Sequence, residues 1–246
     1  MDFRVVIPAR FSASRLPGKP LRDVAGRPLV LRCVDVALRC GATEVCVATD
    51  DARIAEVVRA DGHTAVMTRA DHASGTDRLA EVARLGQWGS ADVVVNLQGD
   101  EPLVPPELLA RLAEALLSRT GVGIATAATE IHDPLELNSP HVVKVVMDDA
   151  QRALYFSRAL IPHDRDGVAC APRLRHLGLY AYRVSTLETL ATTPIHPLER
   201  MEQLEQLRAL ALGIPIHVEQ LDQAPPAGVD TEEDLLRVTR VFRSAP

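Results

Sequence analysis

The sequence is poor in several kinds of residue, and each shortage excludes a class of protein. Only 3% of the 246 residues are aromatic, and the four cysteines form no CxxC or other zinc-like spacing, which favours buried free thiols. No run of about 18 apolar residues occurs, so we expect no membrane-spanning helix. The N-terminal "MDFRVVIPAR" meets a proline and an arginine too soon for a signal segment, which predicts a cytoplasmic location.

An excess of positive charge is also absent. The chain has 27 Lys and Arg residues against 33 Asp and Glu residues, a net charge of −6. A protein whose main partner is a nucleic-acid backbone is more often basic, so we expect no partner of that kind. A local basic loop remains compatible with a small anionic ligand.

The residues that are present are typical of a soluble globular protein. Hydrophobic residues make up 47% of the chain and charged residues 24%, and 246 residues are enough to bury a full core. In the first half, apolar strand-like runs alternate with amphipathic helical patterns, which predicts a parallel sheet covered by helices on both faces. The predicted strands are "FRVVIPA", "EVCVATD", "HTAVMT" and "ADVVVNLQGDEP", and the predicted helices are "RPLVLRCVDVALRCG", "DARIAEVVRADG", "GTDRLAEVARLG" and "PELLARLAEALLSR".

The second half has a different pattern. "HVVKVVMDDAQRALYFSRALIP" predicts an antiparallel hairpin about a "DDAQ" turn, and "RHLGLYAYRV" and "IPIHVEQL" predict further strands. "LERMEQLEQLRALALG" predicts one strong helix, and "TEEDLLRVTRVF" a closing helix whose capping box is Thr231 and Asp234. We therefore predict one α/β domain over residues 1–246, with a mostly parallel mixed sheet and an inserted β-rich portion at about 135–185.

Three cations lie on the loop after the first strand: Arg10, Arg15 and Lys19, in "PARFSASRLPGKP". In sheets of this kind ligands bind beyond the carboxyl ends of the strands, where this loop should meet "QGDEP". The loop is not a Walker P-loop, because Ala13 stands where the first glycine is required and Pro20 where the hydroxyl is required. Small residues still let backbone amides approach a phosphate, so from this loop alone an anion site and a solvated surface loop are equal alternatives.

Two carboxylates add a second signal. Asp100 follows an apolar strand beside a glycine, and Asp230 precedes the last helix. Such oxygens suit Mg²⁺, which usually binds through one or two carboxylates plus substrate phosphates. For Asp230 a helix N-cap is an equal alternative. Cations together with two candidate magnesium ligands indicate a nucleoside triphosphate.

Almost end to end, the chain resembles the cytidylyltransferases that activate 3-deoxy-manno-octulosonate (Kdo), the CMP-Kdo synthetases. The resemblance rests on these motifs in order: "IPARFSASRLPGKPL", "ATDD", "MTRADHASGTDRLAE", "VNLQGDEP", "KVVMD", "ALYFSRALIP", "RHLGLYAYR", "PLERMEQLEQLR" and "GVDTEEDL". It implies a Rossmann-like nucleotidyltransferase fold, Mg²⁺ as cofactor, and a homodimer formed through the inserted portion. It also implies that the anomeric hydroxyl of Kdo attacks the α-phosphate of CTP, giving CMP-Kdo and pyrophosphate for lipopolysaccharide synthesis.

Matching positions take the family's roles by resemblance. The residues that would bind CTP are Ala9, Arg10, Arg15, Lys19, Ser74, Gly75, Arg78 and Gln98. The residues that would surround Kdo are Gln98, Arg158, Arg165, His176, Tyr180, Glu205 and Gln206. Asp100 and Asp230 would hold Mg²⁺, and Lys19 would neutralise the phosphates rather than act as a nucleophile.

Several alternatives remain at this stage. His176 and Tyr180 also suit a strand core, and Glu205 and Gln206 are neighbours on a predicted helix, so one of them is expected on its solvated face. His163 stands where an aromatic residue is expected after "RALIP". A related acceptor such as 8-amino-Kdo or a sialic acid is therefore an alternative, and so is a non-catalytic nucleotide-binding protein.

Overall fold

The computed structural model describes residues 1–11, 16–72, 74–168 and 171–244. Its strands are β1 (Arg4–Ala9), β2 (Asp23–Val24), β3 (Arg27–Pro28), β4 (Glu44–Thr49), β5 (Thr64–Met67), β6 (Val93–Asn96), β7 (Ile124–Glu130), β8 (Lys144–Met147), β9 (Ala153–Ser157), β10 (Leu174–Arg183) and β11 (Ile216–Leu221). Its helices are α1 (Leu29–Leu38), α2 (Ala52–Ala60), α3 (Gly75–Leu85), α4 (Pro106–Leu117), α5 (Pro134–Leu137), α6 (Val184–Thr192), α7 (Pro197–Glu202), α8 (Gln206–Ala211) and α9 (Glu232–Ser244). A short 3-10 turn covers Lys19–Leu21.

Within the described residues, nine strands form one mixed sheet. Its main path runs β11-β7-β10-β6-β1-β4-β5, and β8 and β9 extend it beside β10. Strand β1 pairs in parallel with β4 and β6, and β4 with β5, whereas β10 runs antiparallel to both β6 and β7. The sequence-based prediction of a mostly parallel mixed sheet is confirmed.

Helices cover both faces of the sheet, and successive residues of β1 show why every residue of this strand after Arg4 is apolar. Val5 and Ile7 are fully buried among side chains of α1, α2 and α4. Val6, also fully buried, points to the other face, where it packs with side chains of α3 and α6. Because side chains alternate between the faces of a strand, a strand buried on both sides has no place for an exposed polar residue.

The predicted hairpin and the predicted capping box are both present. Strands β8 and β9 pair antiparallel, with Val145 opposite Phe156. At the start of α9, the Asp234 amide donates to Thr231 Oγ1 over 3.2 Å, and the Thr231 amide donates to the Asp234 carboxylate over 3.1 Å. An aspartate therefore completes the box in place of the usual glutamate.

The prediction of one strong helix over residues 198–213 is wrong. The segment forms two short helices, α7 and α8, because Gln203 takes a left-handed conformation with φ 55° and ends the first of them. The Gln203 side chain donates from Nε2 to the Arg200 carbonyl over 2.7 Å and satisfies one of the acceptors at that helix end. This break has consequences for the functional site.

Two of the longer elements had no counterpart in the sequence-based prediction. Strand β7 lies between β10 and β11, and its "IATAATE" is composed mainly of Ala and Thr, so its hydrophobic signal is weak. Helix α6 follows β10 directly and packs on α3. In both cases tertiary packing decides a conformation that the local pattern leaves ambiguous.

The described cysteines and helices can be compared with the expectations of free thiols and of no membrane-spanning helix. Cys33, Cys40 and Cys46 are free and buried, and Cys170 lies outside the described residues. Among the helices in the described parts of the chain, none has both the length and the apolar character required to cross a membrane.

Candidate active site

The candidate site lies where β1 and β6 end. The Leu97 amide donates to the Val6 carbonyl over 3.1 Å, which holds the two strand ends side by side. Just beyond, a Cβ on Gly99 would lie 2.8 Å from the Pro8 carbonyl oxygen, so only glycine permits this close approach. The two loops therefore meet at the carboxyl edge of the sheet, as the sequence predicted.

Lys19 is the centre of the contacts at this edge. Its Nζ lies 2.5 Å from Asp100 Oδ2, 2.9 Å from the Val229 carbonyl and 3.3 Å from Asp230 Oδ1. Gly18, with φ 67°, turns the chain immediately before Lys19 and allows the 3-10 turn to start there. Three segments that are far apart in the sequence thus converge on one ammonium group.

The electrostatics favour the charged form of Lys19. Burial alone would lower its pKa, but the carboxylates of Asp100 and Asp230 outweigh it, and the pKa is raised above its ordinary value. The pKa of the neighbouring Glu101 is also raised, whereas an acid in a salt bridge has a lowered pKa. Its burial, together with repulsion from Asp100 and Asp230, raises the pKa of its carboxyl to about 8.

The contacts around Asp230 and Thr231 bear on the helix-cap alternative for Asp230. The side chain that accepts from the first turn of α9 is that of Thr231, which bonds the Asp234 amide. The Asp230 side chain is 53% exposed and faces Lys19. Thr231 therefore holds the N-cap position of α9, and Asp230 lies beside the cation.

A cavity of about 230 Å³ opens above Lys19 and is called the β1 cavity here. Its lining residues are Pro8, Ala9, Arg10, Lys19, Pro20, Gly75, Gln98, Gly99 and Asp100. Arg10 is anchored by two hydrogen bonds from its guanidinium, to the carbonyls of His72 (3.0 Å) and Ser74 (3.1 Å). Cations, small residues and backbone amides share this surface, a combination that suits an anion.

Helix α3 begins at the β1 cavity. Ser74 is its N-cap, and it forms a capping box with Asp77, in which each side chain accepts from the other residue's amide. Gly75 is the first helical residue and lines the cavity. The partial positive charge at this helix end adds to the charge of Arg10 and Lys19.

A second cavity of about 270 Å³ adjoins the first and shares Gly75 and Gln98 with it. We call it the tyrosine cavity. Its other lining residues are Thr76, Asn96, Ile124, Gly178, Tyr180, Tyr182, Leu190, Gln203, Leu204, Glu205, Gln206 and Arg208. Its lining is rich in amide, hydroxyl and carboxylate groups, which suits a ligand with many hydroxyls.

Glu205 and Gln206 both line the tyrosine cavity, which the prediction of a continuous helix did not allow. Because α7 ends at Glu202 and α8 begins at Gln206, Glu205 precedes the helix and is not fixed to its solvated face. The Thr76 hydroxyl donates to Glu205 Oε2 over 2.7 Å and orients the carboxylate. The helix break is therefore what brings these neighbours to one cavity.

Two of the predicted residues are buried next to the cavities and do not line them. Arg78 is fully buried and donates to Thr68 Oγ1 and to Asp50 Oδ2. His176 lies against Tyr180, with ring centroids 5.4 Å apart, and its Nε2 is 2.9 Å from Thr126 Oγ1. Burial lowers the pKa of His176 to about 3, so its ring is neutral at physiological pH.

Two further predicted residues lie away from both cavities. Arg158 donates to backbone carbonyls of Pro140, Glu202 and Gln203, which ties β9 to α7. The Arg165 side chain is 90% exposed and lies 3.8 Å from Asp166. The predicted contact of Arg15 with a triphosphate falls outside the described residues.

The sequence-based prediction missed several residues that line the tyrosine cavity. The sequence around Asn96 contained an indication that this residue belongs to the site. Asn96 is a buried polar residue at the end of an otherwise apolar strand, two positions before Gln98. Residues two apart on a strand share a face, so Asn96 could have been assigned to the same site as Gln98. Tyr182 likewise stacks on Tyr180, with centroids 5.6 Å apart. Thr76, Gln203 and Arg208 offered no local signal.

The described part of the chain contains no group of three or more His, Cys, Asp or Glu side chains able to hold a metal ion. The carboxylates of Asp100 and Asp230 nevertheless both contact the ammonium of Lys19. Two such oxygens fit Mg²⁺, because this ion normally takes its remaining ligands from water and substrate phosphates.

Comparison with known proteins gives consistent matches over the whole chain. The model of the cytidylyltransferase family matches residues 4–216. The 3-deoxy-manno-octulosonate cytidylyltransferase of Hahella chejuensis is 51% identical, over 98% of this chain and 97% of that protein. The enzyme of the same name from Methylococcus capsulatus is 50% identical, over 97% and 96% respectively.

A solved structure agrees with these relatives. CMP:2-keto-3-deoxy-manno-octonic acid synthetase complexed with CTP superimposes with a TM-score of 0.91, at 42% sequence identity and over 98% of both chains. Both the fold and the sequence therefore match across the same length. The chain belongs to the 3-deoxy-manno-octulosonate cytidylyltransferase family, and it is a nucleotidyltransferase.

Proposed function

We propose that this protein transfers the cytidylyl group of CTP to Kdo, releasing pyrophosphate and forming CMP-Kdo. The observation that carries the proposal is the ammonium of Lys19 between Asp100 and Asp230, in a cavity that adjoins a polar second cavity. The names of the relatives supply the substrates: the enzymes are called 3-deoxy-manno-octulosonate cytidylyltransferases, and the solved structure holds CTP.

The β1 cavity is the proposed triphosphate site. Arg10 and Lys19 supply positive charge there, and the α3 N-terminus with Ser74 and Gly75 supplies a favourable dipole. Ala9 and Gly99 are small, so phosphate oxygens can approach the backbone closely. Arg15 remains a predicted further contact, and so does Arg78, which is bonded to Thr68 and Asp50 and does not line this cavity.

Asp100 and Asp230 are the residues that would hold Mg²⁺. When bound, this ion neutralises phosphate charge and lowers the pKa of a hydroxyl coordinated to it. Lys19 forms ion pairs with both carboxylates, so its ammonium would compete with a metal for their oxygens. Phosphate oxygens bound in the β1 cavity would be further partners for this ammonium.

The tyrosine cavity is the proposed Kdo site. Gln98 lies at the junction of the two cavities, where the sugar's anomeric hydroxyl must meet the α-phosphate. Tyr180, Glu205 and Gln206 offer hydroxyl, carboxylate and amide groups to the sugar hydroxyls. His176 supports Tyr180 from behind, and direct contacts of Arg158 and Arg165 with Kdo stay predictions.

The reaction itself is a displacement at phosphorus. A bond forms between the anomeric oxygen of Kdo and the α-phosphorus, the hydroxyl proton passes to solvent, and the bond from that phosphorus to pyrophosphate breaks on the opposite side. Positioning and charge neutralisation are the main demands on the protein. Arg10 and Lys19 neutralise the phosphate charge, and the junction of the two cavities at Gln98 positions the reacting groups. We assign no side chain as an obligatory general base.

Pyrophosphate release with CTP, Mg²⁺ and Kdo tests the proposal, with ATP, GTP and UTP as nucleotide controls. We expect release with CTP and Kdo, and loss of most activity in Asp100→Ala with the fold retained. A panel with 8-amino-Kdo and a sialic acid tests the acceptor. His163, which led to these alternatives, lines a separate cavity with Arg165 and Arg173. Release with none of these acceptors would support the non-catalytic alternative.

The product of the proposed reaction is activated Kdo for lipopolysaccharide synthesis. The protein is proposed to act as a homodimer whose interface is the inserted portion. Large apolar side chains are exposed on it: Leu154 is 61% exposed and Val168 69% exposed. Burial of such side chains against a second copy would remove apolar area from water.

A further inference from the structure

Two amide side chains that face the tyrosine cavity, those of Asn96 and Gln206, carry polar atoms without a hydrogen-bond partner. Asn96 is 3% exposed and Gln206 is 6% exposed, so both are almost completely buried. Asn96 Oδ1 and Gln206 Nε2 nevertheless form no hydrogen bond in the structure. Since buried polar groups in proteins are nearly always hydrogen-bonded, both atoms need an explanation.

The position of Asn96 explains where its side chain is directed. It is the last residue of β6 and lies directly opposite Tyr180 of β10 in the antiparallel pairing. Residues that face each other across antiparallel strands point to the same side of the sheet. Tyr180 and Asn96 both line the tyrosine cavity, so the amide of Asn96 belongs to the same surface as Gln98 and Gln206.

The two unpartnered atoms have complementary chemistry. Asn96 Oδ1 accepts a hydrogen bond, and Gln206 Nε2 donates one. They are not bonded to each other, so they are available to a ligand that enters the cavity. A carboxylate only accepts and an ammonium only donates, whereas an alcohol hydroxyl does both.

We propose that Asn96 is a specificity-determining residue of the sugar site, which together with Gln206 binds a hydroxyl group of the acid-sugar substrate. Asn96 accepts the hydroxyl proton, and Gln206 donates to the hydroxyl oxygen. This inference rests on the proposed function, because it concerns the acceptor of that reaction. It adds a residue of the "VNLQGDEP" motif to which the resemblance assigned no role.

The arrangement makes a prediction about substrate choice. An analogue that lacks the hydroxyl leaves both buried groups unpaired, which disfavours it much more than the loss of a methylene would. We expect a singly deoxygenated acceptor at the matching carbon to lose about a hundredfold or more in kcat/KM.

The free protein gives a second, independent signature. Because Asn96 Oδ1 is unpaired in the free protein, replacing Asn96 by Leu, a residue of similar shape, removes a buried unsatisfied group. The thermal midpoint of Asn96→Leu should therefore equal or exceed that of the unchanged protein. A residue with a merely structural role would lower it.

The experiment compares the unchanged protein, Asn96→Leu, Asn96→Thr and, as a matched control, Asn138→Leu, which alters an exposed asparagine. Pyrophosphate release gives kcat and KM for Kdo and for CTP, and thermal unfolding gives the midpoint. We expect Asn96→Leu to lose about tenfold or more in kcat/KM for Kdo, with the KM for CTP unchanged. Asn96→Thr, which keeps a hydroxyl acceptor, should lose less, and Asn138→Leu should match the unchanged protein.

Three results overturn the inference: equal kcat/KM for Kdo in Asn96→Leu and the unchanged protein, an equal loss for CTP, or strong destabilisation of both Asn96 variants. If the unchanged protein releases no pyrophosphate with Kdo, the proposed function itself fails. The two failures are therefore distinguishable in one series of measurements.

Discussion

At the scale of single residues, the distribution of lysine is informative. Of the 27 Lys and Arg residues only Lys19 and Lys144 are lysines, and neither side chain is well exposed. Lys144 is fully buried and donates three hydrogen bonds, to the carbonyls of Ser139, Val142 and Arg158. Lys19 also has three acceptors. An ammonium has three N–H groups on one atom, so it can satisfy acceptors that converge on a point, whereas a planar guanidinium cannot.

We expect Lys19→Met to bind a divalent cation more tightly than the unchanged protein when no nucleotide is present. The substitution removes the ammonium that forms ion pairs with Asp100 and Asp230. A charged hydrogen bond of this kind is worth about 1.5–3 kcal/mol, so the gain in Mn²⁺ affinity should be about tenfold or more. Calorimetric titration with Mn²⁺ measures it. Arg22→Met, which breaks a surface pair with Glu232, is the control, and a weaker affinity in Lys19→Met would contradict the arrangement.

His176 predicts a pH dependence of stability. Its pKa is lowered from 6.5 to about 3 by burial, so below pH 6.5 the unfolded chain takes up a proton that the folded chain excludes. The stability from this residue is present above pH 6.5 and is lost as the pH falls, by about 2 kcal/mol at pH 5.

Urea unfolding at pH 7 and pH 5 measures this effect. The free energy of unfolding should fall less in His176→Gln than in the unchanged protein, whereas the exposed His132→Gln should behave like the unchanged protein. An identical pH response in His176→Gln would show that the ring is not held neutral.

At the scale of elements, the site depends on the contact between the loops after β1 and β6. Gly99→Ala should impair both stability and activity, because its new Cβ would lie 2.8 Å from the Pro8 carbonyl oxygen, which belongs to the backbone. Forced adjustments of this kind cost about 1–3 kcal/mol. Gly121→Ala is the matched control, since nothing lies within 4 Å of a Cβ there. Thermal midpoints and pyrophosphate release compare the variants, and an unperturbed Gly99→Ala would be inconsistent with this contact.

The elements also show where a sequence pattern is sufficient. The strands and helices of the first half follow their predicted segments, because strong periodic hydrophobicity coincides there with burial on the sheet. Strand β7 was missed because Ala and Thr carry little signal, although both of its faces are buried. The break at Gln203 was missed because a left-handed glutamine has no sequence signature, and this break is what brings Glu205 and Gln206 to the tyrosine cavity.

At the scale of the whole molecule, we expect a homodimer. Size-exclusion chromatography with light scattering should give twice the chain mass of 26.7 kDa. Leu154→Glu should shift the protein toward the monomer, because it places a charge on the apolar surface of the inserted portion. Leu236→Glu, at a similarly exposed leucine of α9, should leave the mass unchanged. A monomeric unchanged protein at micromolar concentration would refute the dimer.

The sequence by itself determined the class of fold, the family and the polar side chains that meet at the strand ends. Hydrophobic periodicity and the order of motifs are properties of the sequence itself, so they can be recognised without a structure. Only the tertiary structure decided which of the predicted residues share a cavity. Lys19, Asp100 and Asp230 meet because three distant loops converge, while Arg78 and His176 are buried behind the surface by their neighbours. Such convergence depends on packing between segments far apart in the chain, and no local pattern records it.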